Sequence, residues 1–298
     1  AVEDIRFYDH NGVDFRRLLG AFVSNLSSSK TEGGSTITQQ LVKNELLTNE
    51  RSYKRKLQEA YLAMELEKTY SKDEILEAYL NAIPLGGTVY GVKAAAKDYF
   101  GKELSELNLR EMICIAAITQ NPTKYSPRRA TYTRPENLPG LVNRMNIIAE
   151  RMYWNGKLTK EQYEDVVTPA EKYLAPSCLE QNEDGTWKLK EDTDMVLRDG
   201  YLDTWKAEMN ILEESPANSL YPYPHFIEYM IYDVQNFMMD KEGLEHTTAN
   251  RQRVDKALRS GGYKIYATID TDMQQTVQDT LANWDDYPNM DPIIKTDA

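Results

Sequence analysis

Long apolar runs are missing from this chain of 298 residues. No stretch of about 18 apolar residues occurs, so no segment reads as a membrane-spanning helix, and no signal peptide is visible. Cysteine is scarce: the only two, Cys114 and Cys178, lie far apart and match no metal-binding spacing. Cys114, inside MICIAAI, reads as a small core residue, and neither suggests a catalytic thiol. Positive charge is in deficit, with a formal net charge of −12, which argues against a general nucleic-acid binder. Internal repeats and low-complexity tracts are absent. What remains is a globular composition, 41% apolar, with enough length for one large domain or two smaller ones. The chain starts inside patterned sequence, at AVEDIRFYDH, and the expectation is that something has been trimmed from the front.

Residues 1 to about 165 read as mostly helical. RKLQEAYLAMELEKTY is rich in helix formers. SKDEILEAYLNAI has Ser71 as its N-cap, and SELNLREMICIAAIT has Ser105 ahead of an apolar run. LPGLVNRMNIIAERMYWNGKL predicts a helix ending near Gly156, and Thr159 with Gln162 is spaced as a capping box. Past residue 168 the texture turns polar and irregular, and a connecting region rich in Asp and Glu runs to about 220. YPYPHFIEYMIYDVQNFM resumes helical spacing. YKIYATID alternates as a strand, with TDMQQTVQDTLANW as a helix behind it. The tail from 285 has no packing partner that the sequence names.

Five blocks carry candidate chemistry. In EDIRFYDHNG, Glu3 and Asp4 are adjacent acids near Phe7, Tyr8 and His10; acids favoured by the positive end of a helix dipole are the competing account. In GGSTITQQLVKN two glycines permit close approach of a ligand. Ser35, Thr36 and Thr38 can cap the helix that follows, and Gln40 and Lys43 share a face. A helix N-terminus with hydroxyl caps and a lysine one turn on suits phosphate or sugar. Next, Arg51, Lys54, Arg55 and Lys56 cluster cations in an acidic protein. At about 100° per residue, Lys54, Gln58, Tyr61 and Glu65 face water. Glu59 falls opposite, with Arg55, Leu62, Ala63 and Leu66. A carboxylate there is costly unless paired, so Glu59 reads either as half of a buried pair with Arg55 or as a second acid facing a cleft. GGTVYGVKAAAKDYFGK supplies small residues for tight helix packing. AAITQNPTKYSP ends an apolar helix at a proline-bounded turn from which Gln120 and Lys124 project.

In this order the five blocks resemble the signature motifs of family 51 peptidoglycan glycosyltransferases. These are the transglycosylase modules of class A penicillin-binding proteins and the monofunctional cell-wall polymerases. YKIYATIDTDMQQTVQDTL resembles the opening strand and helix of the penicillin-binding transpeptidase domain. SSSK at Ser27–Lys30 fits the pattern of that domain's nucleophile motif, but no KTG follows, so it reads as coincidence and transpeptidase activity is not expected. The resemblance implies a mainly α, lysozyme-like glycosyltransferase domain with a small jaw lobe over residues 1–168. A smaller α+β region over 169–298 would hold the linker and the truncated start of the transpeptidase domain. AFVSNLSSSKTE is the expected mobile loop near the jaw.

Such enzymes polymerise lipid II, a disaccharide-pentapeptide on a polyprenyl diphosphate, with inversion and release of the diphosphate. By motif position Glu3 takes the proton from the acceptor hydroxyl, and Glu59 is the second essential glutamate. Asp4, Phe7, His10, Ser35, Thr36, Gln40, Lys43, Asn44, Arg51, Arg55, Lys56 and Gln120 match cleft positions. Of these, Lys43, Arg51 and Arg55 meet the departing charge. Gln120 stands where many members carry lysine, and Pro84 where an aromatic often sits. No covalent cofactor is implied; a divalent cation, magnesium or manganese, could accompany the diphosphate. Implied partners are lipid II, the nascent glycan, the membrane surface reached through the jaw and an N-terminal anchor, and cell-wall synthesis proteins, with no nucleic acid. The implied location is the extracytoplasmic face of the bacterial cytoplasmic membrane. Two rivals are a lysozyme-like glycan hydrolase and a non-catalytic glycan- or partner-binding module. The first gives no reason for the cations, the second none for two glutamates.

Overall fold

Cap residues cut the chain into helices. The computed structural model describes residues 2–18, 34–47, 53–87, 89–215, 224–260 and 263–282. Helix α1 (Ile37–Glu45) starts at a reciprocal cap: Thr36 Oγ1 accepts the Gln39 N–H at 3.1 Å, and Gln39 Oε1 accepts the Thr36 N–H at 3.0 Å. Helix α2 (Tyr53–Thr69) follows, then α3 (Lys72–Ala82), which opens on a second box between Ser71 and Glu74. Helices α4 (Val92–Phe100), α5 (Leu109–Ile118) and α6 (Leu138–Trp154) build the centre. The expected end of α6 is seen, with Gly156 at φ +65° just past it. Helix α7 (Lys160–Val166) opens on the Thr159–Gln162 box.

The cap of α5 is Asn108, not Ser105. Asn108 Oδ1 accepts the Glu111 N–H at 2.9 Å, while Ser105 lies in a 3-10 turn, Leu104–Glu106. Glu106 accepts the Glu103 N–H at 2.7 Å, so a separate short turn forms first and the α-helix begins after it.

Helix α1 packs on α2 and α3, and α5 on α6. Ala95 and Ala96 on α4 and Cys114 on α5 are fully buried, so the small residues serve close helix packing. The same core continues beyond residue 168 through Leu174, Tyr201, Trp205, Met209 and Ile211. Trp205 has no exposed surface, and its Nε1–H donates to Thr131 Oγ1 at 2.9 Å. The irregular-looking segment holds α8 (Ala170–Tyr173) and an antiparallel pair, β1 (Leu179–Gln181) and β2 (Trp187–Leu189), with Leu179 opposite Leu189. Helix α9 (Tyr201–Met209) carries Trp205 into the core. The first compact unit thus extends to Ser219; in packing terms no break falls at 168.

The second unit starts at Leu220. Its helices α10 (Pro224–Lys241) and α11 (Thr248–Ser260) form a hairpin. Met239, Val254 and Leu258 are buried, and Gln235 Nε2 donates to Asp255 Oδ1 at 2.8 Å. Helix α12 (Thr271–Ala282) is capped by Asp270, which accepts the Met273 N–H at 3.0 Å. The strand expected at 263–270 is not formed, and nearly all its side chains are exposed. Alternation marks a strand only when a neighbour supplies a ladder, and among the described residues none pairs with it. The expected mobile loop, the Ser27–Lys30 motif and the tail from 285 lie outside the described residues. No helix among the described residues is long and apolar enough to cross a membrane.

Candidate active site

The first block is a turn folded against α1, α2 and α3. Gly12 is its pivot. Its φ is +87°, and a Cβ there would stand 2.5 Å from the Ala63 carbonyl oxygen of α2, so only glycine permits this approach. The Gly12 carbonyl accepts from Thr36 Oγ1 at 2.6 Å, tying the block to the start of α1. Asp4, almost fully buried, accepts the Ile37 N–H of that start at 3.0 Å and contacts His10 Nε2 at 2.9 Å. A carboxylate on an unpaired helix-terminal N–H is a favourable use of both. Phe7 is buried, with the Lys72 ammonium 4.5 Å from its ring centroid. Lys72 also donates to the His10 carbonyl at 2.5 Å and pairs with Glu67 at 2.6 Å.

Glu3 sits beside this turn with 29% of its side chain exposed. Its Oε2 accepts from Gln40 Nε2 at 3.2 Å and its Oε1 from Arg144 Nη2 at 3.1 Å; Thr119 Oγ1 lies 3.4 Å from Oε1 but donates its proton to the Ala116 carbonyl at 2.8 Å. Tyr79 Oη donates to Gln40 Oε1 at 3.3 Å, which orients the amide so that its NH2 faces Glu3. Burial, then the charges of Glu3 and Asp4, push the Tyr79 phenol up, so it stays a donor.

Glu59 contrasts with this. Its side chain is 1% exposed, and it pairs with Arg55 Nη1 at 3.0 Å and also with Lys56 Nζ. The buried pair read from α2 therefore exists, with Lys56 added. Lys56 Nζ donates in turn to Ser35 Oγ at 2.7 Å. Both networks end on residues 35–40: Gln40 touches Glu3, and Ser35 touches the cation that holds Glu59.

Lys43 is exposed in the last turn of α1, one turn beyond Gln40, and Asn44 is half-buried beside it. Gln120 is exposed in the turn after α5, next to Thr119. Arg51 lies outside the described residues. Arg144, Thr119 and Tyr79 are contacts of the site that motif reading missed. Arg144 carried a signal: it lies within the apolar pattern of α6, near buried Leu141, Met145 and Ile148, where a lone cation needs an acid. Among the described residues no group of three or more His, Cys, Asp or Glu could hold a metal ion. A cavity of about 620 Å³ opens elsewhere, near Arg110, Thr168 and Tyr201, and contains none of the expected site residues. Cys114 is an inert thiol, pushed up to about 12 chiefly by burial.

The geometry is thus a half-open carboxylate and a buried, doubly paired one on either side of a helix start. The chain is 38% identical over 294 residues to a penicillin-binding protein 1A of Clostridium perfringens, covering 96% of this chain and 37% of that protein. It is 44% identical over 168 residues to a penicillin-binding protein 1A of Aquifex aeolicus, covering 56% of this chain and 22% of that protein. The crystal structure of penicillin-binding protein 1A from Haemophilus influenzae aligns with 44% of this chain and 15% of that one, at 31% identity and a TM-score of 0.29, too little overlap to bear on the fold. The chain therefore spans under half the length of these relatives. The family described as Transglycosylase matches residues 1–153, which hold every sequence-derived site residue, and the chain belongs to that family.

Proposed function

We propose that the chain is a peptidoglycan glycosyltransferase that polymerises lipid II. The observation that carries this reading is the unlike pair of glutamates joined through residues 35–40. One carboxylate is open enough to meet a hydroxyl; the other holds cations in place.

In the proposed reaction an acceptor sugar hydroxyl approaches Glu3. Its oxygen attacks the anomeric carbon of the growing chain from the face opposite the diphosphate, which inverts that carbon. The O–H bond breaks and the proton passes to Glu3. The bond from the anomeric carbon to the diphosphate oxygen breaks, and the electron pair leaves with the diphosphate. Lys43, Arg51, Arg55 and Lys56 meet that charge, with Glu59 fixing Arg55 and Lys56. Thr36 and Asp4 act indirectly, by holding the start of α1 against the first block. Asn44 and Gln120 border the cleft. Among the described residues no group of ligands is built for a metal; a divalent cation would accompany the diphosphate as part of the substrate.

Exposed Ile5 and Tyr8 on the first block, with Phe15 and Leu18 just after it, support contact with a lipid surface. That in turn supports work at the outer face of the cytoplasmic membrane, on lipid II and the nascent glycan. The cationic set disfavours a hydrolase, which expels no diphosphate.

The test is incubation of the chain with labelled lipid II, detergent and a divalent cation, read on a gel. Glycan ladders that disappear with the family inhibitor moenomycin are expected. Short soluble muropeptides released from preformed glycan would instead establish a hydrolase.

A further inference from the structure

We propose that Arg144 is a positioning residue for the glycosyl transfer: it occupies Oε1 of Glu3 and leaves Oε2 turned to the acceptor hydroxyl. The proposal rests on the reading of Glu3 as the base.

The two oxygens of Glu3 are unequally loaded. Oε1 accepts from the Arg144 cation at 3.1 Å, whereas Oε2 has the neutral amide of Gln40 at 3.2 Å. A carboxylate oxygen has two lone-pair sites, so each keeps one open, but the cation on Oε1 draws electron density from it and leaves Oε2, which meets only a neutral amide, as the more basic oxygen. The charged bond is the strong one and sets the orientation; the amide, oriented by Tyr79, keeps the second oxygen from swinging. The Arg144 side chain is 12% exposed, and Glu3 is its ion-pair partner among the described residues. A cation that buried is costly unless paired, so the guanidinium and the carboxylate are locked as a unit. Arg144 comes from α6, far in sequence from the first block, on a face otherwise given to the core. As the acceptor oxygen gives up its proton, Oε2 receives it and Oε1 keeps its bond to Arg144.

The experiment measures lipid II polymerisation by the chain, with kcat and KM separated, for Arg144→Ala, Arg144→Lys, Glu3→Gln and the double variant Glu3→Gln with Arg144→Ala. A misplaced base costs on the order of 100-fold in rate. Arg144→Ala is expected to lose about that much kcat, with KM within about 2-fold. Added guanidinium ion is expected to restore kcat about 10-fold, and Arg144→Lys to fall between. The double variant is expected to be no slower than Glu3→Gln, because a residue acting through the base loses its effect once the base is gone. Unchanged kcat in Arg144→Ala would overturn the proposal. So would a loss that guanidinium does not restore and that adds in full to Glu3→Gln, since that is the behaviour of a strut in the core. Should Arg144→Ala not fold, wild-type kcat in Arg144→Lys is the overturning result. Full activity of Glu3→Gln fails differently: it removes the base itself, and the proposal with it.

Discussion

Glu3 and Glu59 are the same side chain put to opposite uses. Glu3 keeps 29% of its surface and takes its hydrogen bonds from one cation and one neutral amide. Glu59 keeps 1% and holds two cations. The first arrangement suits a group that must exchange a proton with something outside the fold. The second suits a counterion: it gathers Arg55 and Lys56 on one turn of α2, and each of its oxygens is held by a charged donor. Chemistry is decided by what each carboxylate can still reach.

The comparison breaks most sharply at Glu3. Glu3→Gln keeps the size and most of the hydrogen bonds but cannot take a proton. Polymerisation is expected to fall by a factor of about 100 to 10,000, the range a positioned base contributes, with thermal unfolding changed little. Gel ladders and a melting curve on the same sample check both halves. Normal chain growth would remove Glu3 as the base.

Glu59→Gln should do the reverse first. Removing one partner of a buried pair typically costs about 3–5 kcal/mol, because here Arg55 and Lys56 would face each other with no counterion. A clear drop in denaturant midpoint is expected, with activity falling as the cations scatter. If stability held and activity alone fell, Glu59 would be a reacting group like Glu3, and the contrast would be wrong.

Much of this was written in the sequence, and the omissions have a common cause. Boxes at Thr36, Ser71 and Thr159 are visible because a cap and its partner lie three residues apart. Helical period put Glu59 on the buried side of α2 correctly. Ser105 misled because two capping signals compete within six residues, and Glu106 serves the first turn. Residues 263–270 misled because alternation reports a strand's faces and not its neighbour. Arg144 went unnamed because a pair spanning 141 residues leaves only half its signal in any one helix. For the same reason Trp205 and Ile211 could not be seen to share a core with the first 168 residues: packing partners far apart in sequence leave no period to read.

A milder change sharpens the counterion side. Lys56 is 44% exposed and bridges Glu59 to Ser35. Lys56→Ala is expected to cost less than about 1 kcal/mol in stability, as exposed cations do. Its turnover should fall several-fold and respond less to added salt than the wild type. Equal turnover and equal salt response would make Lys56 a solvated side chain and leave the diphosphate to Lys43, Arg51 and Arg55.

The smallest expected effect concerns the turn that carries Glu3. Asp14 is buried, and burial alone would push its carboxyl up. The Arg6 guanidinium, the Arg17 backbone N–H and nearby positive charge outweigh that and hold it below the usual aspartate range. A carboxylate depressed in the folded state adds stability above its unfolded pKa, and that stability is lost as pH falls through the folded one. Asp14→Asn should therefore be less stable than the wild type at neutral pH, and the gap should close as the solution is acidified below the ordinary aspartate pKa of about 3.9. Arg17 also donates to the Glu3 carbonyl, so a loosened Asp14 should lower polymerisation slightly at neutral pH. Denaturant midpoints of the two proteins across that range decide it. A constant gap at every pH would mean that Asp14 works by shape, and that the first block is held by Gly12 and Thr36 without help from charge.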